Sequence, residues 1–313
     1  MEGVVTYNVP HFFSGFHTIP WPVLIAIYLF LGGISAGAFI ASVIAGYIDQ
    51  EKYKNISRVG AYVAPLPVII GTGLLILDLD RPYRAFSLFW NIHPTSVMSL
   101  GAWLLLIFSI LSVLYAAIFM AESGKLSAAQ PLVSSKNIIG LAGLICAFGT
   151  AIYTGVLISA VISIRELWSQ TVPVLFTISA LSTGIASVIF FLALSPNKDR
   201  NAINRLGWAD SILIAIELGI ILVWIIGMYN GTAGNKEAIR EIVGGTFGGM
   251  FWIGVVLIGL LIPLVMEYKH LKEARTHAEA GTGSALIAAV LVLVGGMILR
   301  YVVLIGGQIL PLT

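Results

Sequence analysis

The sequence predicts an all-α integral membrane protein with eight transmembrane helices, arranged as two four-helix bundles within a single membrane domain. Apolar residues make up 58% of the 313 residues, and charged residues make up 10%. Eight apolar stretches are each about 20 residues or longer, enough for a helix to cross roughly 30 Å of hydrocarbon. Five of these stretches contain no charged residue, and two charges, Glu217 and Arg300, lie deep inside a stretch.

The eight stretches follow one another through short connections. Backbone groups cannot be left unpaired in lipid, so each stretch is expected to form a helix. The predicted spans are Pro22–Tyr47, Ser57–Leu77, Ser96–Ala121, Asn137–Val161, Pro173–Leu194, Trp208–Tyr229, Thr246–Met266 and Ser284–Leu310. They use residues 22–310, which leaves no room for a folded soluble domain. The segment 1–21 contains no Lys or Arg and is not expected to be a signal peptide, so the first span is retained.

The distribution of Lys and Arg predicts the orientation. The connections after spans 1, 3, 5 and 7, with the adjoining span ends, hold 11 basic residues. The N-terminus, the connections after spans 2, 4 and 6, and the C-terminus hold 5. Cytoplasmic loops are enriched in basic residues, so both termini are expected in the periplasm and the protein in the cytoplasmic (inner) membrane of a prokaryote.

This orientation sorts the polar residues by depth. An outer polar cluster is expected near the periplasmic surface, with the candidates His17, Trp21, Tyr28, Asp78, Asp80, Arg81, Arg84, His93, Tyr153 and Gln308. Asp210 is expected at the inner end of span 6, and Glu217 about 10 Å deeper, at about 1.5 Å per residue. Arg300 is expected near the middle of span 8. Charge inside lipid is costly, so these positions are candidate functional sites.

The end of span 2 combines acidic, basic and aromatic residues. It reads Leu77-Asp78-Leu-Asp80-Arg81-Pro82-Tyr83-Arg84, and Pro82 is expected to stop the helix. Asp78 precedes this stop and is expected to face the bundle, because facing lipid would be costly. The alternative reading of the segment is a membrane-surface anchor with a local salt bridge.

Residues able to bind metals are scarce in the predicted spans. All five histidines lie outside the spans, and a haem held within a helix bundle needs ligands that project from helices. Cys146 is the single cysteine, and one thiol cannot hold an iron–sulfur cluster. We therefore expect no haem, no iron–sulfur cluster and no other metal site in this chain.

Spans 1 and 4 carry two weaker signals. Gly33 and Gly37 are four residues apart on one face of span 1, which allows close helix packing or leaves room for a planar ring. Tyr153, followed by Thr154 and Gly155, interrupts the apolar pattern of span 4. A tyrosine there is either an interfacial belt residue or a hydrogen-bond donor to a ligand carbonyl.

Taken together, these segments resemble the NrfD/PsrC family, the quinone-binding membrane subunits of polysulfide reductase, nitrite reductase and related complexes. The resemblance begins at about residue 20, extends to the C-terminus and rests on Tyr28–Gly37, Leu77–Pro82, Ser96–Trp103, Tyr153–Gly155 and Leu299–Gln308. It implies an eight-helix core with a menaquinone or ubiquinone site near the periplasmic face. It also implies an iron–sulfur partner subunit with four clusters, working with a molybdopterin enzyme or a multihaem cytochrome.

The resemblance can be carried onto individual residues. Tyr153 matches a tyrosine of the family that binds quinone, and Thr154 adjoins it. Tyr28 stands where polysulfide-reductase members have a histidine, and His17 is a candidate substitute for that histidine. The further candidates for quinone contacts are His93, Asp78 and Gly33.

Quinone chemistry moves two electrons and two protons, so the protein must bind the ring carbonyls and exchange protons. Asp78 is a candidate for proton transfer on the outer side, and Glu217, Arg300 and Asp210 are candidates on the inner side. A structural buried ion pair between spans 6 and 8 is the alternative for Glu217 and Arg300.

The function expected is therefore that of a quinone-reactive membrane anchor, which is not catalytic alone. Arg81 and Arg84 are candidates for docking the iron–sulfur subunit, because they follow span 2 on the outer side. The alternative function, from a different class of membrane protein, is that of a secondary transporter with a substrate site at the midplane of the bilayer. The outer position of most polar residues disfavours that reading.

Overall fold

The computed structural model describes residues 23–77, 96–160, 167, 169–196, 199–275 and 282–309. These residues are all-helical, and eight helices are long and apolar enough to cross a membrane, as predicted. We number them spans 1 to 8: Val23–Ile48, Lys54–Leu77, Val97–Glu122, Ser127–Ser159, Val172–Leu194, Arg200–Tyr229, Met250–Lys269 and Thr282–Gln308. We call the end of the molecule where span 1 begins the N-terminal face, and the other end the opposite face.

Several spans differ from the predicted ones in length or winding. Span 2 consists of two helices, Lys54–Val63 and Pro65–Leu77, because Pro65 has no N–H to continue the backbone ladder. Span 4 begins with a 3₁₀ helix, Ser127–Ser135, before the α-helix Lys136–Ser159. Span 6 begins eight residues earlier than predicted, at Arg200, where the Asp199 side chain accepts a hydrogen bond from the Ala202 N–H (3.0 Å).

Span 7 has the most unusual winding. Its first part, Met250–Leu261, is a π-helix, and an α-helix continues it over Ile262–Arg275. π-helices are usually single turns, so a segment of 12 residues is rare. This segment packs on span 8 with the backbones of Gly259 and Gly295 in contact; a Cβ on Gly259 would lie 2.6 Å from the Gly295 Cα.

Spans 1 and 5 form the centre of the fold. Span 1 contacts spans 2, 4, 5 and 8, and span 5 contacts spans 1, 4, 6 and 8. The two helices cross at Gly37 and Gly184, where a Cβ on either residue would overlap the other helix's backbone. The peripheral spans instead expose apolar side chains such as Leu66, Ile138 and Val223, as expected for surfaces that face lipid.

An additional helix, which the sequence did not predict, connects spans 6 and 7. It covers Ala233–Val243 and lies at the N-terminal face. Its apolar side buries Ala238, Ile239 and Ile242, while its charged residues point outward. Ile242 packs against Gly306 near the end of span 8. The helix therefore covers the ends of spans 6, 7 and 8 that lie at the N-terminal face.

Candidate functional site

Two tyrosine hydroxyls meet near the N-terminal face, between spans 1 and 4. Tyr28 and Tyr153 are 1% and 7% exposed, and their hydroxyl groups interact electrostatically. The Tyr28 hydroxyl nevertheless has no partner at hydrogen-bonding geometry. Both residues lie one to two helical turns, roughly 8 Å, from the ends of their helices. The structure therefore brings together two of the residues predicted to bind quinone.

Glycines on spans 2 and 3 make room for these rings. A Cβ on Gly101 would overlap the Tyr153 ring and hydroxyl, and a Cβ on Gly71 would lie 3.5 Å from the Tyr28 ring. Thr72, next to Gly71, has a buried hydroxyl without a hydrogen-bond partner. Gly101 and Thr72 were not among the predicted site residues. We call Tyr28, Gly71, Gly101 and Tyr153 the tyrosine cluster.

Two other predicted quinone contacts have different surroundings. The Thr154 hydroxyl donates to the Ala151 carbonyl (2.8 Å), and its methyl group faces Gly32. Gly33 lies next to Arg300, where a Cβ would come within 2.8 Å of Nη2. Gly33 thus makes room for a guanidinium instead of lying in the tyrosine cluster. The predicted residues His17, Asp78, Arg81, Arg84 and His93 lie outside the described residues.

Arg300 is fully buried between spans 1, 5 and 8. Its Nη1 donates to the Gly296 carbonyl (2.8 Å) and to the Ser179 hydroxyl (3.3 Å). The guanidinium carbon lies 5.6 Å and 5.4 Å from the ring centroids of Phe30 and Phe176. Nε and Nη2 are buried without a hydrogen-bond partner. The charge is therefore held by aromatic rings and by two hydrogen bonds.

Glu217 and Arg300 do not form a direct ion pair. They interact electrostatically, yet in the described part of the chain no carboxylate oxygen lies within 4.0 Å of the guanidinium. The Glu217 carboxyl instead interacts with the same Ser179 hydroxyl that accepts from Arg300. Ser179, on span 5, therefore links the acidic group of span 6 to the basic group of span 8.

A second acidic site lies closer to the opposite face. Asp210 is fully buried and accepts a hydrogen bond from the Ser182 hydroxyl (2.6 Å). Because span 6 begins at Arg200, Asp210 is the eleventh residue of the helix and lies deeper than the predicted inner end. Its side chain adjoins that of Glu267 on span 7, which is 5% exposed and accepts from Ser211 (2.7 Å).

These groups form a series of buried polar side chains along spans 5 to 8. Ser179 and Ser182 are three residues apart, one helical turn, and Asp210 and Glu217 are two turns apart on the same face of span 6. At its end, Glu267 lines a small cavity of about 10 Å³, roughly the room for one water molecule. We call this series the polar line: Glu267, Asp210, Ser182, Glu217, Ser179 and Arg300.

The sequence predicted three members of the polar line, Asp210, Glu217 and Arg300. It did not predict Glu267, Ser179 or Ser182. Glu267 is one residue beyond the predicted end of span 7, and the helix in fact continues to Arg275. Ser179 and Ser182 carry no signal of their own, since hydroxyl residues are common in such helices. From the sequence, the seven residues between Asp210 and Glu217 served only to estimate their depths; at helical spacing they also share one face.

The described residues contain no group of three or more His, Cys, Asp and Glu side chains arranged to hold a metal ion. Cys146 is a free, partly buried cysteine on span 4. The chemistry of the described site is therefore that of hydroxyl, carboxyl and guanidinium groups.

Comparison with known proteins establishes the family. The family model "Polysulphide reductase, NrfD" matches residues 14–311. The chain belongs to the NrfD family. It is 30% identical to the Protein NrfD homolog of Haemophilus influenzae over 97% of this chain and 98% of that protein. It is also 30% identical to the C subunit of polysulfide reductase from Wolinella succinogenes, over 94% of this chain and 96% of that protein.

A third relative has a name that refers to a quinol. The Hdr-like menaquinol oxidoreductase integral membrane subunit of Archaeoglobus fulgidus is 25% identical over 94% of this chain and 72% of that protein. In this NrfD-family chain, the tyrosine cluster offers neutral hydrogen-bond donors near one face, and the polar line offers ionisable groups deeper in the protein. Neutral donors suit a neutral carbonyl ligand, and ionisable groups suit proton transfer.

Proposed function

We propose that this chain is the quinone-reactive membrane anchor of a respiratory iron–sulfur oxidoreductase complex. It exchanges electrons between the menaquinone or ubiquinone pool and an iron–sulfur subunit on the periplasmic side. Membership of the NrfD family supports the role of a membrane subunit, and the names of its relatives refer to polysulfide reductase and to a menaquinol oxidoreductase. The observation that carries the quinone site is the buried Tyr28 hydroxyl without a hydrogen-bond partner.

The tyrosine cluster fits a quinone headgroup in its chemistry. An unpaired buried hydroxyl costs about 1–3 kcal/mol, so it is a strong donor for an arriving acceptor. Tyr28 has such a hydroxyl, and a quinone ring carries carbonyl acceptors. The described residues form the deeper wall of the site, and we assign the remaining contacts to His17, Asp78 and His93.

Each residue of the site has a proposed role. When bound, quinone supplies the two-electron, two-proton redox chemistry. Tyr28 and Tyr153 bind and orient the ring carbonyls by hydrogen bonds, and Gly101 keeps the Tyr153 ring in place. Asp78, which follows span 2 in the sequence, exchanges protons with the site on the periplasmic side.

The polar line serves as a proton path from the cytoplasmic side in this proposal. Glu267 and Asp210 are adjacent buried carboxyl groups that can hold a proton between them. Ser182 and Ser179 link them to Glu217 and Arg300. The alternative is that Glu217 and Arg300 are structural, and the absence of a direct ion pair between them makes that reading less favourable.

The arrangement in the membrane follows the same proposal. We assign spans 1–4 and spans 5–8 to two four-helix bundles, and the N-terminal face to the periplasm of a prokaryotic cell. A reporter that is active only in the cytoplasm, fused after Thr313, should then be silent in cells that make the chain. Strong activity of the fusion would reverse the assignment of sides.

The partner chains supply the metal centres of the complex. We propose an iron–sulfur subunit with four clusters, docked through Arg81 and Arg84, and beyond it a molybdopterin enzyme or a multihaem cytochrome. Reversing the charge at both arginines should release the iron–sulfur subunit from membranes, whereas full retention would place docking elsewhere. The isolated chain should give no haem band in a reduced-minus-oxidised spectrum.

Purification and assay of the complex test the function as a whole. An anchor should copurify with iron–sulfur proteins, and a secondary transporter should purify alone. In the purified complex, Tyr28→Phe should slow quinone-linked turnover but leave electron transfer to an artificial acceptor at the parental rate. Parental quinone turnover in Tyr28→Phe would mean that the site lies elsewhere.

A further inference from the structure

An apolar groove runs along the surface between span 1 and span 6, with span 5 as its floor. Its volume is about 690 Å³. The walls include Ile40 and Ile44 of span 1 and Ile212 of span 6, and the floor includes Leu181 and Ile185 of span 5. We call it the seam groove. It is separate from the tyrosine cluster, because no residue of that cluster lines it.

The length of the seam groove matches one leaflet of a bilayer. It follows span 1 from Gly37, near the middle of that helix, to Ile48 at its end. Eleven residues at about 1.5 Å each give roughly 16 Å. Half of a hydrocarbon core roughly 30 Å thick is about 15 Å. A single acyl chain of the leaflet at the opposite face therefore fits the groove from end to end.

A positive charge stands at the end of the seam groove that reaches the membrane surface. Arg205 lines this end together with Tyr53 and Asn204. The Arg205 guanidinium carbon lies 4.8 Å from the Tyr53 ring centroid, and the Lys52 ammonium lies 5.7 Å from the same centroid. Within the residues described, no carboxylate oxygen comes within 4.0 Å of either cation. The tyrosine ring holds the guanidinium beside the groove without neutralising it.

We propose that the seam groove binds one anionic phospholipid, with an acyl chain along the groove and the phosphate at Arg205. A guanidinium matches phosphate oxygens with two parallel hydrogen bonds. Two cations that form no ion pair with the described residues favour a headgroup with net negative charge over a zwitterionic one, and basic pockets between transmembrane helices bind such headgroups. Because spans 1 and 6 form opposite walls, the lipid holds the first and last halves of the chain together.

Charge complementarity distinguishes this occupant from the prenyl tail of a quinone. A prenyl tail is apolar throughout and makes no use of Arg205. A tail would therefore bind the groove equally well whether or not residue 205 is charged. The two occupants give opposite predictions for a change of charge at this position.

The test uses the full chain, purified in detergent, with native mass spectrometry to count bound lipid and thermal unfolding to follow its effect. The probes are phosphatidylglycerol and phosphatidylcholine with the same acyl chains. Wild-type protein should retain one phosphatidylglycerol and be stabilised by it more than by phosphatidylcholine. Arg205→Gln should bind phosphatidylglycerol about fivefold more weakly, since one cation near the membrane surface contributes about 1 kcal/mol.

Matched variants separate this site from general charge effects. Lys125→Gln removes an exposed cation near the same face but away from the groove, and it should bind phosphatidylglycerol like wild type. Arg205→Lys keeps the charge and should retain most of the preference for phosphatidylglycerol. It is the control that separates loss of charge in Arg205→Gln from a folding defect caused by substitution at this position. Ala41→Phe fills the groove and should release the lipid, whereas Val223→Phe on an exposed surface should not.

Three results would overturn the proposal. The first is an unchanged preference for phosphatidylglycerol in Arg205→Gln. The second is an equal loss in Lys125→Gln, which would indicate a general charge effect. The third is displacement of the lipid by an uncharged prenylquinone with the same affinity in wild type and Arg205→Gln, which would assign the groove to a quinone tail.

Discussion

The first four and the last four spans bury different kinds of polar group. Among the described residues, spans 1–4 bury the neutral hydroxyls of Tyr28 and Tyr153 near the N-terminal face. Spans 5–8 instead bury the ionisable side chains Asp210, Glu217, Glu267 and Arg300. The two halves therefore differ in the chemistry of their buried polar groups.

The region below the tyrosine cluster strengthens this contrast. The rings of Phe39, Phe108 and Tyr115 pack against one another, with centroids 5.5 Å and 5.1 Å apart for the pairs that share Phe39. Beyond them a polar cavity of about 230 Å³ opens at the opposite face. Aromatic side chains therefore stand between that cavity and the tyrosine cluster, while the polar line of the last four spans continues through the equivalent depth.

In the proposed function, this difference separates quinone binding in the first four spans from proton transfer in the last four. Neutral donors can bind a neutral ring without the cost of desolvating a charge. Ionisable groups are needed where protons move, and they are placed in the other half, where serines connect them. If the halves perform separate tasks, substitutions in each should affect separate measurements. The following predictions test that separation, beginning with the variant expected to disturb the structure most and ending with the one expected to disturb it least.

The contact that joins the halves should be the most sensitive to substitution. Gly184→Val would place side-chain atoms into the backbone of span 1 at Gly37. Moving a helix backbone costs more free energy than moving a flexible side chain. Overpacking usually costs about 1–3 kcal/mol, and we expect a loss above about 3 kcal/mol here. Yield and thermal unfolding of the purified protein measure it. Gly219→Ala is the control, because a Cβ there would meet nothing within 4 Å. Equal stability of the two variants would contradict the close crossing.

The charges of the last four spans should affect stability and turnover differently. Arg300→Met leaves Glu217 without its positive neighbour and should cost about 2–3 kcal/mol, less than for a direct buried ion pair. Adding Glu217→Gln should recover part of this loss, because the stranded charge is removed. Denaturation of the purified variants measures both effects.

Glu217→Gln alone distinguishes a proton path from a structural role. The glutamine keeps the shape and can still interact with Ser179, so stability should stay near the parental value. Quinone-linked turnover of the complex should fall, because the titratable group is lost. A loss of stability with unchanged turnover per folded molecule would instead support the structural alternative.

The sequence predicted the eight helices because composition and length are enough to identify membrane spans. It also predicted that Tyr28 and Tyr153 lie at one level, since both are near the ends of helices that point to the same face. The sequence could not identify Gly101 as a site residue. A glycine that packs against an aromatic ring has the same local sequence pattern as one that packs against a neighbouring helix. Glu267 was missed because the charged residues that follow Met266 lower the hydropathy while the helix continues.

In the tyrosine cluster, the position of the Tyr153 ring depends on residue 101 being a glycine, which has no side chain. Gly101→Ala would place a methyl group in the Tyr153 ring and should displace it, at a cost of about 1–2 kcal/mol. Quinone-linked turnover should fall by about tenfold, because each decade corresponds to about 1.4 kcal/mol. Gly73→Ala on span 2 meets nothing within 4 Å and should be neutral. An equal fall in both variants would point to a general loss of helix packing.

The smallest structural change removes a single oxygen atom. Tyr153→Phe keeps the ring over Gly101 and the packing of span 4, so assembly and thermal stability should stay close to parental. Losing one neutral hydrogen bond costs about 1 kcal/mol net, and as much as about 3 kcal/mol if a buried partner is left unsatisfied. Quinone-linked turnover should therefore fall by roughly one to two decades, while electron transfer from the partner's clusters to an artificial acceptor continues unchanged.

Tyr115→Phe is the matched control, since Tyr115 is a buried tyrosine of the same half that lies beyond Phe39, away from the cluster. Parental turnover in Tyr153→Phe, or an equal loss in Tyr115→Phe, would remove the quinone site from the first four spans and with it the proposed division between the halves.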